Sequence, residues 1–292
     1  MRTLHELPRF SDRWSYLYLE EGRLNVDAMG LKFSNKSGEI SIPIDQLAIL
    51  MLGPGTVVTH RAVTTLADNN CLLAWTGAEG NRLYASGKGG TFSARRIILQ
   101  ASLVSDQRSR EAVARRMYRF RFNTPPPEDV SMPQIRGFEG ARVRRIYAEM
   151  SDKYSVPWRG RKYDPHAWNS ADLVNRCLSM ANSCLYGVCH AAILSAGYSP
   201  ALGFIHTGKM LSFVYDIADL YKAELSIPVA FDLASHGPPN IGRAVRIRCR
   251  DAFHQFKLME RILPDIAEVL NAGDDLREQP SEFEGRIVTV AD

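Results

Sequence analysis

The chain has 292 residues, a formal net charge of +4 and 45% apolar residues, which is enough for two domains with hydrophobic cores. No run of about 18 apolar residues predicts a membrane span, and the amino end lacks the apolar centre of a signal peptide. The five cysteines follow neither a disulfide nor a zinc-knuckle spacing, so we expect them to pack in the core. These properties exclude membrane-spanning and disulfide-rich secreted classes and predict a cytoplasmic protein.

Short runs of β-forming residues, separated by turn residues such as Glu-Gly, Met-Gly and Asn-Lys-Ser-Gly, dominate the first 85 residues. Over residues 14–44 this alternation predicts a meander of hairpins. One helix interrupts the strands, because Thr59 suits the cap of a helix that ends near Asp68. The predicted strands cover residues 14–19, 24–27, 31–33, 39–44, 47–52, 71–75 and 82–85.

A glycine-rich segment, residues 86–91, is the best linker candidate, because the pattern changes after it from strands to helices. The predicted helices cover residues 92–122, 133–154, 171–196 and 209–223, with two more between 244 and 272. The fold class predicted is α+β, with a β domain at 1–85, a helical domain at 92–275 and a tail at 276–292. The tail is acidic and irregular, although residues 287–290 could add a strand to a sheet edge.

One acidic residue lies on the apolar face of a predicted helix. Ile135, Val143, Ile146 and Met150 share that face, and Glu139 falls at its centre. A carboxylate that points inward requires a cation, which is either the guanidinium of a nearby arginine or a metal ion.

A second acidic group follows His206, which lies in a loop between glycines and precedes Asp216 and Asp219 on one predicted helix. Like charges at i, i+3 repel by about 0.2–0.5 kcal/mol, and Lys222 could balance them at a partly exposed helix border. The alternative is one divalent ion bound by this group together with Glu139. Carboxylates with one imidazole suit Mg²⁺ or Mn²⁺ better than Zn²⁺. The buried arc of the same helix is predicted to contain Met210, Phe213, Val214, Ile217, Leu220 and Tyr221.

Arginines are concentrated in four segments, at residues 95–121, 136–145, 159–162 and 243–250. Their planar guanidinium groups suit phosphate oxygens, which favours a polyanion such as nucleic acid as the partner. For any single cluster, the alternative is a solvated helix face. A divalent ion beside such clusters indicates phosphodiester chemistry, in which the ion polarises a phosphoryl oxygen and stabilises the leaving 3' oxygen.

Several segments of the chain match the motifs of a known family. They are GPGT at 53–56, YASG at 84–87, RGFEG at 136–140, SCLYG at 183–187 and the highly specific GFIHTGKMLSFVYDIAD at 203–219. Over nearly its whole length the chain resembles Cas1, the integrase of CRISPR adaptation, in its type I-E branch. In that family an amino-terminal β-sandwich domain precedes an α-helical domain, which agrees with the organisation predicted from the residue pattern.

The resemblance implies a catalytic centre and its cofactor, Mg²⁺ or Mn²⁺. Glu139, His206 and Asp219 match the metal ligands of the family, and Asp216 matches its accompanying acidic residue. Tyr186 is either a core residue or a site residue by its pattern alone, and the resemblance places it near the centre. The catalytic residues implied are Glu139, His206, Asp216, Asp219, Tyr186, Lys209 and Lys222.

A DNA-binding surface is predicted from the arginine clusters together with the resemblance, which places Arg82 in the DNA-contacting stretch of the family. Type I-E relatives can carry a tyrosine that stacks on the duplex end after the first strand. This chain has Glu21 there, with Tyr16 and Tyr18 nearby. The predicted DNA-binding residues are Arg82, Arg95, Arg96, Arg161, Arg248 and Arg250.

The resemblance also implies partners and a reaction. Two family homodimers clamp a central dimer of the Cas2 protein, hold a protospacer duplex, and join its 3' hydroxyls to the CRISPR repeat. This reaction is a transesterification without a covalent protein intermediate. The same metal site would also serve a hydrolytic nuclease for branched or single-stranded DNA, in which water replaces the DNA hydroxyl. A non-catalytic DNA scaffold is the third hypothesis.

Overall fold

The computed structural model describes residues 17–27, 30–44, 47, 49–78, 83–87, 94–122, 127, 130–161 and 172–272. The predictions for residues 14–16, Arg82, the linker residues 88–91 and the tail from 273 lie outside these ranges. The strands are β1 (Leu17–Leu19), β2 (Gly22–Asp27), β3 (Gly30–Asn35), β4 (Gly38–Ile42), β5 (Ile49–Leu52), β6 (Val57–Val58), β7 (Leu72–Thr76) and β8 (Leu83–Ser86). The helices are α1 (His60–Asp68), α2 (Arg95–Ser105), α3 (Gln107–Arg121), α4 (Met132–Tyr154), α5 (Leu173–Ser195), α6 (Ser212–Ala218), α7 (Ser226–His236), α8 (Ile241–Gln255) and α9 (Leu258–Leu270).

The strands form two four-stranded sheets, with the orders β4-β3-β2-β6 and β1-β5-β7-β8. In the first sheet β2, β3 and β4 are an antiparallel meander, as the turn residues between them predicted. In the second sheet β5 pairs in parallel with both β1 and β7. Since β1 pairs with β5 and not with β2, the predicted hairpin between the first two strands is wrong. Helix α1 precedes β7, and its predicted cap is confirmed, because Thr59 Oγ1 accepts a hydrogen bond from the backbone nitrogen of Ala62.

Strand β5 is buried on both faces and belongs to both hydrophobic cores of the described residues. Because successive side chains of a strand point to opposite faces, its residues divide into two sets. Leu50 and Leu52 pack between the two sheets, with Leu24 from the opposite sheet. Ile49 and Met51 pack on the other side, in the core of the helices. The β part therefore supports the helical part directly.

Helix α5 lies at the centre of the helical core. It is the one helix in the described ranges with the length and apolar composition to cross a membrane, but most of it is buried inside the protein. This burial is that of a core helix. Three of the five cysteines lie on α5, and all five are buried free thiols, which confirms their prediction as packing residues.

Two predicted helices have different limits in the structure. The segment predicted as one helix at 92–122 is divided into α2 and α3, because Asp106 has an extended backbone and its carboxylate caps α3 by accepting from Ser109 N at 2.8 Å. The helix predicted at 209–223 is shorter, since α6 ends at Ala218 and continues as turns with hydrogen bonds between residues three apart.

The structure also contains a helix that the sequence did not predict, α7. The sequence pattern favours a loop for this segment because it contains Pro228. Pro228 lies in the first turn of α7, where a backbone nitrogen has no partner within the helix, so proline is tolerated there.

Gln100 connects α2 to the loop that leads toward His206. It is fully buried, donates to the backbone oxygens of Ser199 (3.0 Å) and Leu202 (2.9 Å), and accepts from Ser199 N at 2.8 Å. We predict that Gln100→Leu lowers the free energy of unfolding by about 1–3 kcal/mol, because buried polar groups are left without partners. Urea denaturation measures the change. The exposed Gln107, changed to Leu, is the control, and an equal loss of stability in both variants would contradict this role.

Candidate active site

Asp216 is fully buried in α6 and holds the preceding loop in place. Its carboxylate accepts hydrogen bonds from the backbone nitrogens of Phe204 (2.6 Å), Ile205 (3.1 Å) and His206 (2.9 Å). The ring Nδ1 of His206 makes a fourth hydrogen bond at 2.7 Å. The prediction that Asp216 lies at a partly exposed helix border is wrong, because this loop covers it. Four donors replace the water that a buried carboxylate loses.

The same hydrogen bond sets the orientation of the His206 ring. A carboxylate only accepts, so Nδ1 of the His206 ring is the donor in this hydrogen bond. The side chain is 42% exposed, which leaves Nε2 as the nitrogen available to a ligand. Gly203 allows the loop to close this tightly, because a Cβ there would stand 2.4 Å from the backbone oxygen of His206.

Glu139 lies on α4 with its side chain only 15% exposed, which confirms that it points inward. Helix α4 starts at Met132, where the Gln134 side chain accepts from the backbone nitrogen of Ser131. Glu139 Oε1 lies 3.3 Å from Nη1 of Arg142, one turn later on the same helix. It also lies 3.5 Å from Nη1 of Arg121 on α3. The sequence left open whether an arginine or a metal ion balances Glu139, and in the structure two arginines contact it.

Asp219 lies directly after α6, with its side chain 19% exposed. Lys222 Nζ contacts its Oδ1 at 2.5 Å, as the sequence predicted, and Arg121 Nη1 lies 3.7 Å from its Oδ2. Burial raises the pKa of Asp219, but Lys222 and Arg121, with a smaller effect from His206, outweigh burial and lower the pKa below its ordinary value. Asp219 therefore stays ionised at neutral pH, although it is largely buried.

Two tyrosine rings lie between Lys222 and His206 and connect them. Lys222 Nζ lies 4.9 Å from the centre of the Tyr186 ring, which packs edge-on against Tyr215 with centroids 5.0 Å apart. Tyr215 contacts the ring of His206 in the same manner at 5.8 Å, and Lys209 Nζ lies 6.0 Å from its centre. Burial lowers the pKa of Lys222, but Asp219 and Tyr186 raise it by more, so the ammonium remains charged.

All seven residues predicted for the catalytic centre lie in one network of contacts. The network also contains three residues that sequence reasoning did not place there, Arg121, Arg142 and Tyr215. The arginine-rich segment predicts a basic surface for Arg121, but its side chain is only 4% exposed and points inward. The prediction that Met210 is buried is wrong, since it is 77% exposed in the loop before α6. The spacing of arginines along α3 does not indicate which of them faces the core.

The donor types of this cluster fit a hard divalent ion. Asp219 Oδ1 is buried and contacts the ammonium of Lys222, and Nε2 of His206 is the ring nitrogen that Asp216 does not engage. Within the described ranges, however, no three His, Cys, Asp or Glu side chains are grouped closely enough to hold a metal as they stand. Arg121 contacts both Glu139 and Asp219 instead. The metal role of these residues stays a prediction.

The predicted DNA-binding arginines differ in their surroundings. Arg95 is exposed at the start of α2, whereas Arg96 donates to the backbone oxygen of Ala196 at 3.1 Å. Arg161 donates to Asn175 Oδ1 (3.0 Å) and thereby joins the segment after α4 to α5. Each of the two arginines on α8 pairs with an aspartate at 2.8 Å; the pairs are Arg248 with Asp232 and Arg250 with Asp251. Arg82 lies outside the described residues, and the DNA-binding roles stay predictions.

Comparisons with known proteins agree on one family. The family model described as "CRISPR associated protein Cas1" matches residues 125–238, a range that includes Glu139, His206, Asp216 and Asp219. A CRISPR-associated endonuclease Cas1 from Geobacter sulfurreducens is 50% identical over 273 residues, which cover 93% of this chain and 89% of the relative. The Escherichia coli protein of the same name is 44% identical over 280 residues, or 96% and 92% of the two chains. A solved structure described as "Crystal structure of TtCas1-DNA complex" has a TM-score of 0.79 and 46% identity, covering 91% of this chain and all of that chain.

The geometry around Asp216 predicts the effect of a nearly isosteric change. Asp216→Asn replaces one acceptor oxygen by an amide that faces backbone donors, so we expect a loss of about 3 kcal/mol in the free energy of unfolding. Hydrogen exchange should become faster at the amides of residues 204–206. Urea denaturation and amide exchange measured by mass spectrometry test both effects. Asp152→Asn, at an exposed position on α4, is the control. Unchanged exchange at residues 204–206 would contradict the role given to Asp216.

Proposed function

Because this chain belongs to the Cas1 family of CRISPR-associated endonucleases, we propose that it is a divalent-metal-dependent DNA integrase of the type I-E branch. It joins the 3' hydroxyls of a protospacer duplex to the repeat of a CRISPR array. The observation that carries the proposal is a network of contacts in which Glu139 and Asp219 share the guanidinium of Arg121. Asp216, one turn before Asp219, holds His206 in the same network.

In this proposal Glu139, His206 and Asp219 hold Mg²⁺ or Mn²⁺ through their carboxylates and Nε2. When bound, the ion polarises the phosphoryl oxygen and stabilises the charge that develops on the leaving 3' oxygen. Two carboxylates and one imidazole leave open positions for water and DNA oxygens, which is the ligand set expected for these ions.

The side chains around the ligands position this chemistry. Asp216 accepts from Nδ1 of His206 and fixes the ring so that Nε2 is the nitrogen available to the ion. Lys222 remains charged beside Asp219 and stabilises negative charge on the transferring phosphate, while the Tyr186 hydroxyl bonds to Lys222 and orients it. Lys209 is exposed on the loop before α6, where it contacts the DNA backbone.

The proposed reaction conserves the number of phosphodiester bonds. The oxygen of a DNA 3' hydroxyl attacks a phosphorus of the repeat, and the bond from this phosphorus to its bridging 3' oxygen breaks. The attacking hydroxyl loses its proton to solvent, and the leaving 3' oxygen gains one. The step therefore requires neither a nucleotide cofactor nor a covalent bond to the protein.

We also propose, from the same family membership, how this chain assembles with its partners. Two homodimers of this chain bind a central Cas2 dimer in the cytoplasm and hold double-stranded DNA between them. The two sheets pack on a shared hydrophobic core. In the proposed assembly they are the β-sandwich domain that makes the dimer and Cas2 contacts. The helical part contributes the metal and DNA sites.

A hydrolytic nuclease is the second candidate function, because the curated relatives are named endonucleases. The same ligands would serve both reactions, and the difference lies in whether a DNA hydroxyl or water attacks the phosphorus. The structural arrangement of the described side chains is compatible with either nucleophile.

The test mixes a labelled duplex with free 3' hydroxyls, a supercoiled plasmid carrying the repeat, Cas2 and Mg²⁺ or Mn²⁺. We expect labelled plasmid as the product, and a loss of about 100-fold or more in Glu139→Gln and Asp219→Asn, because each removes a charged ligand. Glu149→Gln is the matched control, since Glu149 lies on the same helix in an exposed ion pair with Arg145. Cutting without joining would favour the nuclease, and unchanged activity in both ligand variants would favour the scaffold.

The arginines of α2 offer a separate prediction about DNA binding. If Arg95 and Arg96 bind phosphates, changing both to Gln lowers the slope of log affinity against log salt by about 0.9 for each phosphate that is no longer neutralised. Arg95→Gln alone should also lower the slope, because Arg95 is exposed at the start of α2. Arg96→Gln should also reduce the free energy of unfolding, because Arg96 bonds to Ala196. Fluorescence anisotropy at several salt concentrations measures the slope, and an unchanged slope in the double variant would make these residues ordinary surface charge.

A further inference from the structure

Arg121 is the only cation in the described cluster that contacts both predicted carboxylate ligands. Its Nη1 lies 3.5 Å from Glu139 Oε1 and 3.7 Å from Asp219 Oδ2, and its Nη2 donates to the backbone oxygen of Asp216 at 3.4 Å. Arg142 contacts Glu139 alone and Lys222 contacts Asp219 alone. One buried guanidinium therefore lies where α3, α4 and α6 meet.

These contacts are longer than those of a structural ion pair. Charge-assisted hydrogen bonds from arginine to carboxylate are usually about 2.7–2.9 Å and often bidentate. Here all three contacts of Arg121 are 3.4 Å or longer, and its buried Nε has no hydrogen-bond partner. The fold thus holds the acceptor oxygens at a spacing that suits the guanidinium poorly. Arg121 therefore balances the charge of these carboxylates without making short hydrogen bonds to their oxygens.

We propose that Arg121 is the resident counter-cation of the metal site, which neutralises Glu139 and Asp219 until a divalent ion replaces it. This inference rests on the proposed metal site. Arg121 is a positioning residue, because it keeps the two carboxylates from repelling each other in the metal-free protein. When the ion binds, Nη1 withdraws from both carboxylates, while the stacking of the guanidinium on Tyr118, 5.3 Å from the ring centre, holds the side chain nearby.

Two opposite effects follow from removing this charge. In Arg121→Gln, the metal-free protein should unfold at a lower temperature, since Glu139 and Asp219 are left without their shared cation. Its affinity for a divalent ion should rise about tenfold, because the ion no longer competes with a positive group. A residue with only a structural role would lower stability without tightening metal binding.

The experiment titrates Mn²⁺ into the full chain, with free Mn²⁺ measured by electron paramagnetic resonance and unfolding temperature measured in parallel. We expect Arg121→Gln to bind Mn²⁺ about tenfold more tightly than the natural chain and to gain more stability from it. Arg115→Gln is the matched control, because Arg115 lies on the same helix and pairs with Glu111. Equal or weaker binding in Arg121→Gln overturns the proposal.

A second measurement uses the natural chain and does not depend on the folding of Arg121→Gln. The arginine Nε–H resonance of Arg121 is assigned as the signal missing from Arg121→Lys, and it should shift when Mg²⁺ saturates the protein. A resonance that does not move overturns the proposal.

A third comparison tests the metal site itself. If Glu139→Gln or Asp219→Asn binds Mn²⁺ as tightly as the natural chain, the proposed metal site is wrong. This outcome is distinct from one in which only the role of Arg121 is wrong.

Discussion

The arrangement of the active site depends on the burial of one carboxylate, that of Asp216. Its four hydrogen bonds go to three consecutive backbone nitrogens and to the ring of His206, so the loop has one position relative to α6. Asp219 follows three residues later, and its distance from His206 is therefore set by the same interaction. The backbone oxygen of Asp216 also accepts from Arg121, which ties α3 to this point. The buried carboxylate of Asp216 thus fixes the positions of His206, Asp219 and Arg121 relative to one another.

The charges around this point bear on the proposed binding of DNA. Glu139 and Asp219 contact three cations, Arg121, Arg142 and Lys222, so positive side chains outnumber the two carboxylates that they touch. Without these cations, two partly buried carboxylates would repel a phosphate group. With them, the negative charges of Glu139 and Asp219 are compensated. In the proposed metal site, a divalent ion would compete with these cations for the same oxygens.

The sequence predicted strands in the amino-terminal part and helices after them, because periodicity is a local property, and the family resemblance supplied the residues of the catalytic centre. It placed Glu139 inward correctly, since three turns of apolar neighbours define that face of α4. It did not find the parallel pairing of β5, which depends on contacts between distant segments. It also misplaced Arg121, because an arginine-rich helix gives no apolar stripe from which its buried face can be determined. Pro228 hid α7, since a proline in the first turn resembles a helix breaker.

Strand β5 supplies alternate side chains to two different cores, and this limits how its sequence can vary. Slipping the strand by one residue would exchange Leu50 and Leu52 with Ile49 and Met51. Every residue involved is apolar, so polarity would not oppose the exchange, and only the shapes of the two cavities distinguish the correct alignment. The register of the strand therefore depends on side-chain volume, and we expect these four positions to tolerate best substitutions by residues of nearly equal size.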